Sequence, residues 1–396
     1  MEPLESGLVT PFDIEIPDRA LKDLHQRLDL TRWPDHLPDA GWSQGVPLGY
    51  LKELAAYWRD EYQWPVHEAE LNALPHFTAE IDGTNVHFLH IRSRADHALP
   101  LLLAHGWPGS FVEFLDLVGP LTDPQAHGGT DADAFDVIIP SLPGFAFSGP
   151  TPDTGWNVGR IARAFAVLMR RLGYERYGVH GSDWGARICR EMGRTGEGSV
   201  AGVHVTLLPS AVATKVPGES ELAGLSEDQR ERVRRSAARR TAFLRDQMGY
   251  GVLQSTRPQT LGYALSDSPV GQLAWIVEKF KECSDCSDVP EEAVDRDRML
   301  TNVMLYWLTG TATSSARLYY ESAHSGEGWD TAPEPSVTPT GVAVFPADTA
   351  LPVRHLAERT DNIVHWSEFD RGGHFPGLEA PELLIGDLRE FFRPLR

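Results

Sequence analysis

Tyr177-Gly178-Val179-His180-Gly181-Ser182-Asp183-Trp184-Gly185-Ala186-Arg187-Ile188-Cys189-Arg190-Glu191-Met192 is the stretch on which the reading of this chain turns. Its first four residues form a strand-like run and its last six a helix-like one. Between them stands Gly181-x-Asp183-x-Gly185. This is the pattern of a nucleophile on a sharp strand-to-helix turn, with glycines where a side chain would clash. The commoner turn of this kind carries Ser and makes an acyl-enzyme. A carboxylate in its place attacks an sp³ carbon and makes an ester of the protein itself. The stretch therefore points to alkyl transfer, with epoxides and alkyl halides both open. Taken alone, the pattern also fits a buried Asp at a helix start.

The surrounding sequence repeats the strand–loop–helix alternation. Leu99–Ala104 leads into His105-Gly106-Trp107-Pro108-Gly109-Ser110, and Phe135–Pro140 into Ser141-Leu142-Pro143-Gly144-Phe145. Val203–Leu208 reads as a further strand. Gly341–Phe345 leads into Pro346-Ala347-Asp348, and His365–Phe369 into Arg371-Gly372-Gly373-His374-Phe375-Pro376. Val158–Leu172 and Pro381–Phe392 have helical spacing. The expected fold class is α/β, an α/β-hydrolase fold with a mostly parallel central sheet. The motif loops should gather at the carboxyl ends of the strands.

Residues 11–75 read as helical. Asp18 is expected to cap a helix through Leu21, Leu24 and Leu28 that ends at Trp33-Pro34, and a second helix runs from Leu48 to Trp58. From Phe77 the period changes to two, a hairpin turning at Asp82-Gly83. Residues 210–335 hold no clear strand and read as a helical lid. The expected organisation is an N-terminal extension over 1–95, a core over 96–209, the lid over 210–335 and the rest of the core over 336–396.

The chain has 396 residues, 41% hydrophobic, enough to bury about 75% of its unfolded surface without staples. Its net charge of −20 argues against a nucleic-acid or anionic-membrane partner. Met1–Gly7 lacks the features of a signal peptide, and no run of 18 apolar residues predicts a membrane span. Three cysteines, Cys189, Cys283 and Cys286, fit a reducing cytoplasm.

The candidate base is His374, after the last strand. The chain order nucleophile, acid, histidine is that of α/β-hydrolases. The histidine needs a carboxylate for its Nδ1–H. Asp348, after the penultimate strand, is preferred. Asp361 and Asp370 are rivals, although Asp370 lies too close to His374 in sequence to reach back. The oxyanion donors are expected to be the backbone N–H groups of Trp184 and Trp107.

These motifs together resemble the microsomal-type epoxide hydrolases, a family that includes the juvenile hormone epoxide hydrolases and soluble fungal and bacterial members. The resemblance spans nearly the whole chain. It is carried by residues 105–111, Gly181-Ser182-Asp183-Trp184-Gly185, Ser266-Asp267-Ser268-Pro269-Val270-Gly271, residues 314–321 and Arg371-Gly372-Gly373-His374-Phe375. Two departures stand out. The membrane anchor of the mammalian members is missing, which implies a soluble form, and Asp348 stands where they use Glu. The resemblance implies two lid tyrosines that hold the epoxide oxygen. Tyr250 in Met248-Gly249-Tyr250 matches one and Tyr319 in Arg317-Leu318-Tyr319 the other, with Tyr320 its register rival. A phenol, with an ordinary pKa of about 10, can donate to the alkoxide that ring opening creates. The implied reaction turns an epoxide and water into a vicinal diol with no cofactor and no metal. The implied partner is a small-molecule epoxide; self-association into a homodimer, and a biosynthetic or detoxifying role, are left open.

Weaker signals have plain readings. Cys283-Ser284-Asp285-Cys286 lacks the further ligands of a zinc site. Asp131, Asp133 and Asp136 lack the pattern of a calcium loop. The six arginines between Arg230 and Arg240 read as an exposed helix face paired with Glu. The aromatic content of the lid (Tyr263, Trp275, Phe280, Tyr306, Trp307) suggests a hydrophobic, aryl-bearing substrate. Two competitors remain. A dehalogenase shares the Asp elbow but wants N–H donors for halide. A non-catalytic ligand-binding relative would be expected to lack a triad member.

Overall fold

The computed structural model describes residues 8–196, 198–213, 218, 222–326 and 334–396. The Met1–Gly7 segment read for a leader lies outside the described residues, as do parts of the 210–335 stretch. Among the described residues nine strands form one sheet: β1 (Val9–Phe12), β2 (His76–Ile81), β3 (Thr84–Ile91), β4 (Leu99–Ala104), β5 (Phe135–Pro140), β6 (Tyr177–Gly181), β7 (Val200–Val205), β8 (Ser336–Val344) and β9 (Asp361–Glu368). Their order is β1-β2-β3-β5-β4-β6-β7-β8-β9. The first three strands run antiparallel and β3 lies antiparallel on β5; from β5 to β9 every neighbour is parallel. The parallel centre follows from composition. Strands β4 to β7 are almost uninterrupted apolar runs, buried on both faces under helices.

The helices Val158–Arg171 and Asp183–Thr195 pack together against the sheet, and Leu115–Thr122 pairs with Pro381–Phe392. Between β7 and β8 the described residues form six α-helices: Glu227–Asp246, Gly249–Thr256, Pro258–Asp267, Pro269–Cys283, Arg296–Thr309 and Ala312–His324. Among the described residues no helix is long and apolar enough to cross a membrane.

Several boundaries differ from expectation. Residues 11–75 are not all helical, because β1 adds to the edge of β2 over four residues. So short a run has no periodicity to read, and its Pro11 is tolerated because an edge strand leaves one side unpaired. Asp18 is the first residue of the helix Asp18–Asp29, and Pro17 holds the cap position. That helix stops at Asp29, before Trp33-Pro34, because Thr31 and Arg32 fall where the buried series Leu24, Leu28 would continue. Strand β7 begins and ends three residues early, freeing Thr206–Leu208 to turn toward the carboxyl end of the sheet.

The N-terminal helices brace the back of the lid. Trp58 Nε1 donates to Met304 Sδ at 3.1 Å, Tyr57 Oη donates to Asp297 at 2.8 Å, and Tyr62 Oη pairs with Thr301 Oγ1 at 2.9 Å.

Candidate active site

Asp183 opens the helix Asp183–Thr195, two residues past the end of β6, with a φ of +47°, a left-handed conformation that a non-glycine residue adopts only under constraint. The constraint is visible in its neighbours. A Cβ on Gly181 would come within 2.2 Å of the Gly185 carbonyl carbon, and one on Gly185 within 1.8 Å of Ala104 O. No side chain fits either place, so the turn closes tightly and thrusts Asp183 forward. Gly106 makes room for the carboxylate itself, since a Cβ there would meet Asp183 Oδ1 at 2.2 Å. The next residue, Trp107, donates its backbone N–H to that same oxygen at 2.8 Å. Trp184 is the second residue of the helix Asp183–Thr195, so its amide belongs to the first turn, which has no intrahelical acceptor.

His374 faces the other oxygen. Its Nε2 lies 3.6 Å from Asp183 Oδ2, while its Nδ1 donates to Asp348 Oδ1 at 2.7 Å. The rivals are elsewhere. Asp361 is buried in an ion pair with Arg190 at 2.7 Å, and Asp370 is exposed. The Asp348 carboxylate is held by the amide and hydroxyl of Thr349. Burial opposes a charge on His374, but the Asp348 charge and the hydrogen bonds of both carboxylates outweigh it, so the imidazole pKa stands well above its ordinary value. The histidine loop is stitched to the lid. His374 N donates to Cys283 O at 2.9 Å, and Gly372 N donates to Asp285 at 2.8 Å.

Tyr250 and Tyr319 come together over the elbow. The Tyr250 ring stacks on Trp107 with centroids 5.0 Å apart, and Tyr319 meets Trp184 edge-on at 4.8 Å. The two phenol rings are 5.9 Å apart. Burial first, and the Asp183 charge with it, raises both phenols well above their ordinary pKa, which keeps them protonated donors. Tyr320, by contrast, is 37% exposed and stacks on His324. All seven residues singled out in the sequence, Asp183, His374, Asp348, Tyr250, Tyr319, Trp107 and Trp184, thus meet at one end of the sheet.

Comparison with known proteins gives the arrangement its family. Residues 9–114 match the epoxide hydrolase N terminus, and residues 100–207 match the alpha/beta hydrolase fold. Over 98% of its length the chain is 47% identical to a Stigmatella aurantiaca protein provisionally named an epoxide hydrolase, covering 86% of that protein. It is 37% identical to epoxide hydrolase 1 of Sus scrofa, again over 98% of this chain and 89% of the relative. The chain belongs to the microsomal-type epoxide hydrolase family. Among solved structures it resembles the juvenile hormone epoxide hydrolase of the silkworm Bombyx mori, with a TM-score of 0.88 and 29% identity over 98% of this chain and 95% of that one. The Aspergillus niger epoxide hydrolase gives 0.82 and 32%, over 98% and 97%.

Around this candidate site stand residues that sequence reasoning passed over. Glu113 is buried and accepts from Ser182 Oγ at 2.8 Å, one residue before Asp183. Burial, reinforced by the Asp183 charge, pushes its carboxyl up to about 8 against the opposing pull of Ser182 and His374. Lys279 Nζ is buried 4.6 Å from the centre of the Tyr250 ring, between Glu278 and Glu282, which hold its charge against the cost of burial. Nothing in the bare sequence marks either residue.

Two expectations are corrected. None of the five lid aromatics lines the cavity at Asp183. Tyr263 is exposed, Phe280 packs on Phe375, and Tyr306 reaches a backbone carbonyl instead. The apolar wall comes from Leu207, Val212, Phe243, Met248 and Phe375. The arginine run is only partly a solvated face. Arg232 and Arg234 pair with Glu368 and Glu227, but Arg239 is half-buried and donates to the carbonyls of Pro346 and Asp348 at 2.7 and 3.1 Å. It ties the lid to the acid loop. Cys283 lines the cavity as a buried free thiol. Asp133 and Asp136 spend their oxygens on Arg393, Thr130, Ser93 and Tyr174.

Proposed function

We propose that this hydrolase opens a hydrophobic epoxide to a vicinal diol through an ester on Asp183. The observation that carries the reading is the division of the Asp183 carboxylate: Oδ1 is held by Trp107 N–H, and Oδ2 faces His374 and the cavity. Oδ2 attacks an epoxide carbon, breaking its C–O bond, while the Tyr250 and Tyr319 hydroxyls donate to the departing oxygen. One difficult step becomes two easier ones. His374, oriented by Asp348, then takes a proton from water, and the water attacks the ester carbonyl carbon. The negative charge that develops on Oδ1 is met by the amides of Trp107 and Trp184. Collapse expels the diol; the two protons of the water end on its two oxygens, one of them by way of His374, and the carboxylate and the neutral imidazole are restored.

Two phenols above the nucleophile suit a developing alkoxide better than a departing halide, which favours epoxide over alkyl chloride. The wall of Leu207, Val212, Phe243, Met248 and Phe375 suits an apolar substituent. The test is a single turnover of racemic styrene oxide by excess enzyme in ¹⁸O-water. The label should enter Asp183 and not the diol, because the diol takes its oxygen from the carboxylate. Label in the diol during the first turnover would rule out the covalent route. Chloride release from alkyl chlorides without diol from styrene oxide would reverse the choice of substrate.

A further inference from the structure

The helix Arg296–Thr309 lies between the N-terminal helices and the loop His105–Ser110. One face, carrying Asp297, Thr301 and Met304, receives the Tyr57, Tyr62 and Trp58 contacts described above. At roughly 100° per residue, Asn302 and Tyr306 project from the other side. Asn302 Nδ2 donates to Pro108 O at 2.7 Å, and Tyr306 Oη donates to Gly109 O at 2.7 Å. Both side chains are 1% exposed. The loop they hold has no regular secondary structure of its own. The Trp107 N–H that grips Asp183 Oδ1 lies immediately upstream of these two carbonyls.

We infer that Asn302 and Tyr306 are positioning residues that aim the Trp107 N–H and thereby set the rate at which the Asp183 ester breaks down. The inference rests on Asp183 as nucleophile. A buried carbonyl deprived of its donor is costly, so the loop would turn Pro108 O and Gly109 O toward other partners and swing the preceding amide with them. The two chemical steps respond differently. During alkylation Oδ1 loses negative charge, so a weaker Trp107 bond does not slow that step. During hydrolysis Oδ1 gains charge, and the bond counts in full. A lid residue thus acts selectively on the second step. The brace from the N-terminal helices gives the strut a fixed base on its far side.

The test uses the full chain with Tyr306→Phe, which keeps the ring, and Asn302→Ala. Rapid-quench intact mass with styrene oxide follows formation and decay of the ester, His374→Gln serves as the trapping reference, and thermal midpoints are recorded alongside. Each variant should hydrolyse the ester about ten- to a hundredfold more slowly. Alkylation should stay within about twofold, so kcat and KM fall together and ester accumulates. A merely structural role would lower the amplitudes of both phases with the lost active protein and leave their rate constants unchanged. Ester decay at the wild-type rate in both variants, or equal slowing of the two steps, would overturn the inference. Absence of ester in His374→Gln would remove the Asp183 reading and this inference with it.

Discussion

The amide of Trp107 donates to Asp183 Oδ1 at 2.8 Å, so the two carboxylate oxygens are unlike before any chemistry begins. In the proposed mechanism Oδ1 becomes the ester carbonyl oxygen, and Oδ2 is left to attack. Asp183→Asn preserves the shape of this pairing and removes the anionic nucleophile. Turnover of styrene oxide should fall at least about a thousandfold with the thermal midpoint nearly unchanged. Retained turnover would disqualify Asp183.

The two phenols should divide one task. Tyr250 lines the cavity and Tyr319 packs beside it on Trp184. Tyr250→Phe or Tyr319→Phe alone should slow alkylation about ten- to a hundredfold, and the double variant about a thousandfold or more. Stopped-flow tryptophan quenching reads this step directly. Unaltered alkylation in the double variant would mean that the epoxide oxygen is held elsewhere.

The pH dependence of the second step follows from charge. His374 holds its proton above the ordinary imidazole range because Asp348 and Asp183 together outweigh its burial. Alkylation turns Asp183 into a neutral ester and removes one of those anions. The ionisation governing ester hydrolysis should therefore lie below that of His374 in the resting enzyme. The base works only when neutral, so hydrolysis rises with pH through that lower value and then levels. The rate of decay of preformed ester, set against an NMR titration of His374, checks the order. An equal or higher value in the ester would contradict it.

Glu113 predicts a pH effect on stability. Its folded-state pKa of about 8 exceeds the ordinary 4.5, so the folded protein holds this proton while the unfolded chain gives it up. Its contribution is fully present below the unfolded value and is lost as pH rises toward the folded one. Glu113→Gln keeps an acceptor for Ser182 without that loss. Its stability relative to wild type should grow by at most about 1.4 kcal/mol per pH unit between about 4.5 and about 8, then level. Denaturant melts at several pH values measure this, and a difference independent of pH would refute a neutral Glu113.

The elbow, the parallel sheet and the positions of His374 and Asp348 were legible because each rests on local chemistry. Glycine spacing admits one turn, long apolar runs between loops demand a covered parallel sheet, and both residues follow their strands directly. The tyrosine pair was legible only through family resemblance, since a lid phenol looks the same whether it packs or donates. Strand β1 escaped because four residues, one of them a proline, carry no period.

What the chain order could not show is which face each lid helix turns inward. Tyr306 read as a substrate aromatic and instead fastens Gly109, while Arg239 read as a solvated charge and instead fastens the Asp348 loop. Asn302 and Glu113 drew no notice at all. The sequence by itself determined the candidate reacting groups, because a proposed nucleophile, its turn and its order relative to base and acid are set by covalent neighbours. Only the tertiary structure decided which residues hold those groups at their distances, because that depends on contacts between segments far apart in the chain, such as Asn302 and Pro108.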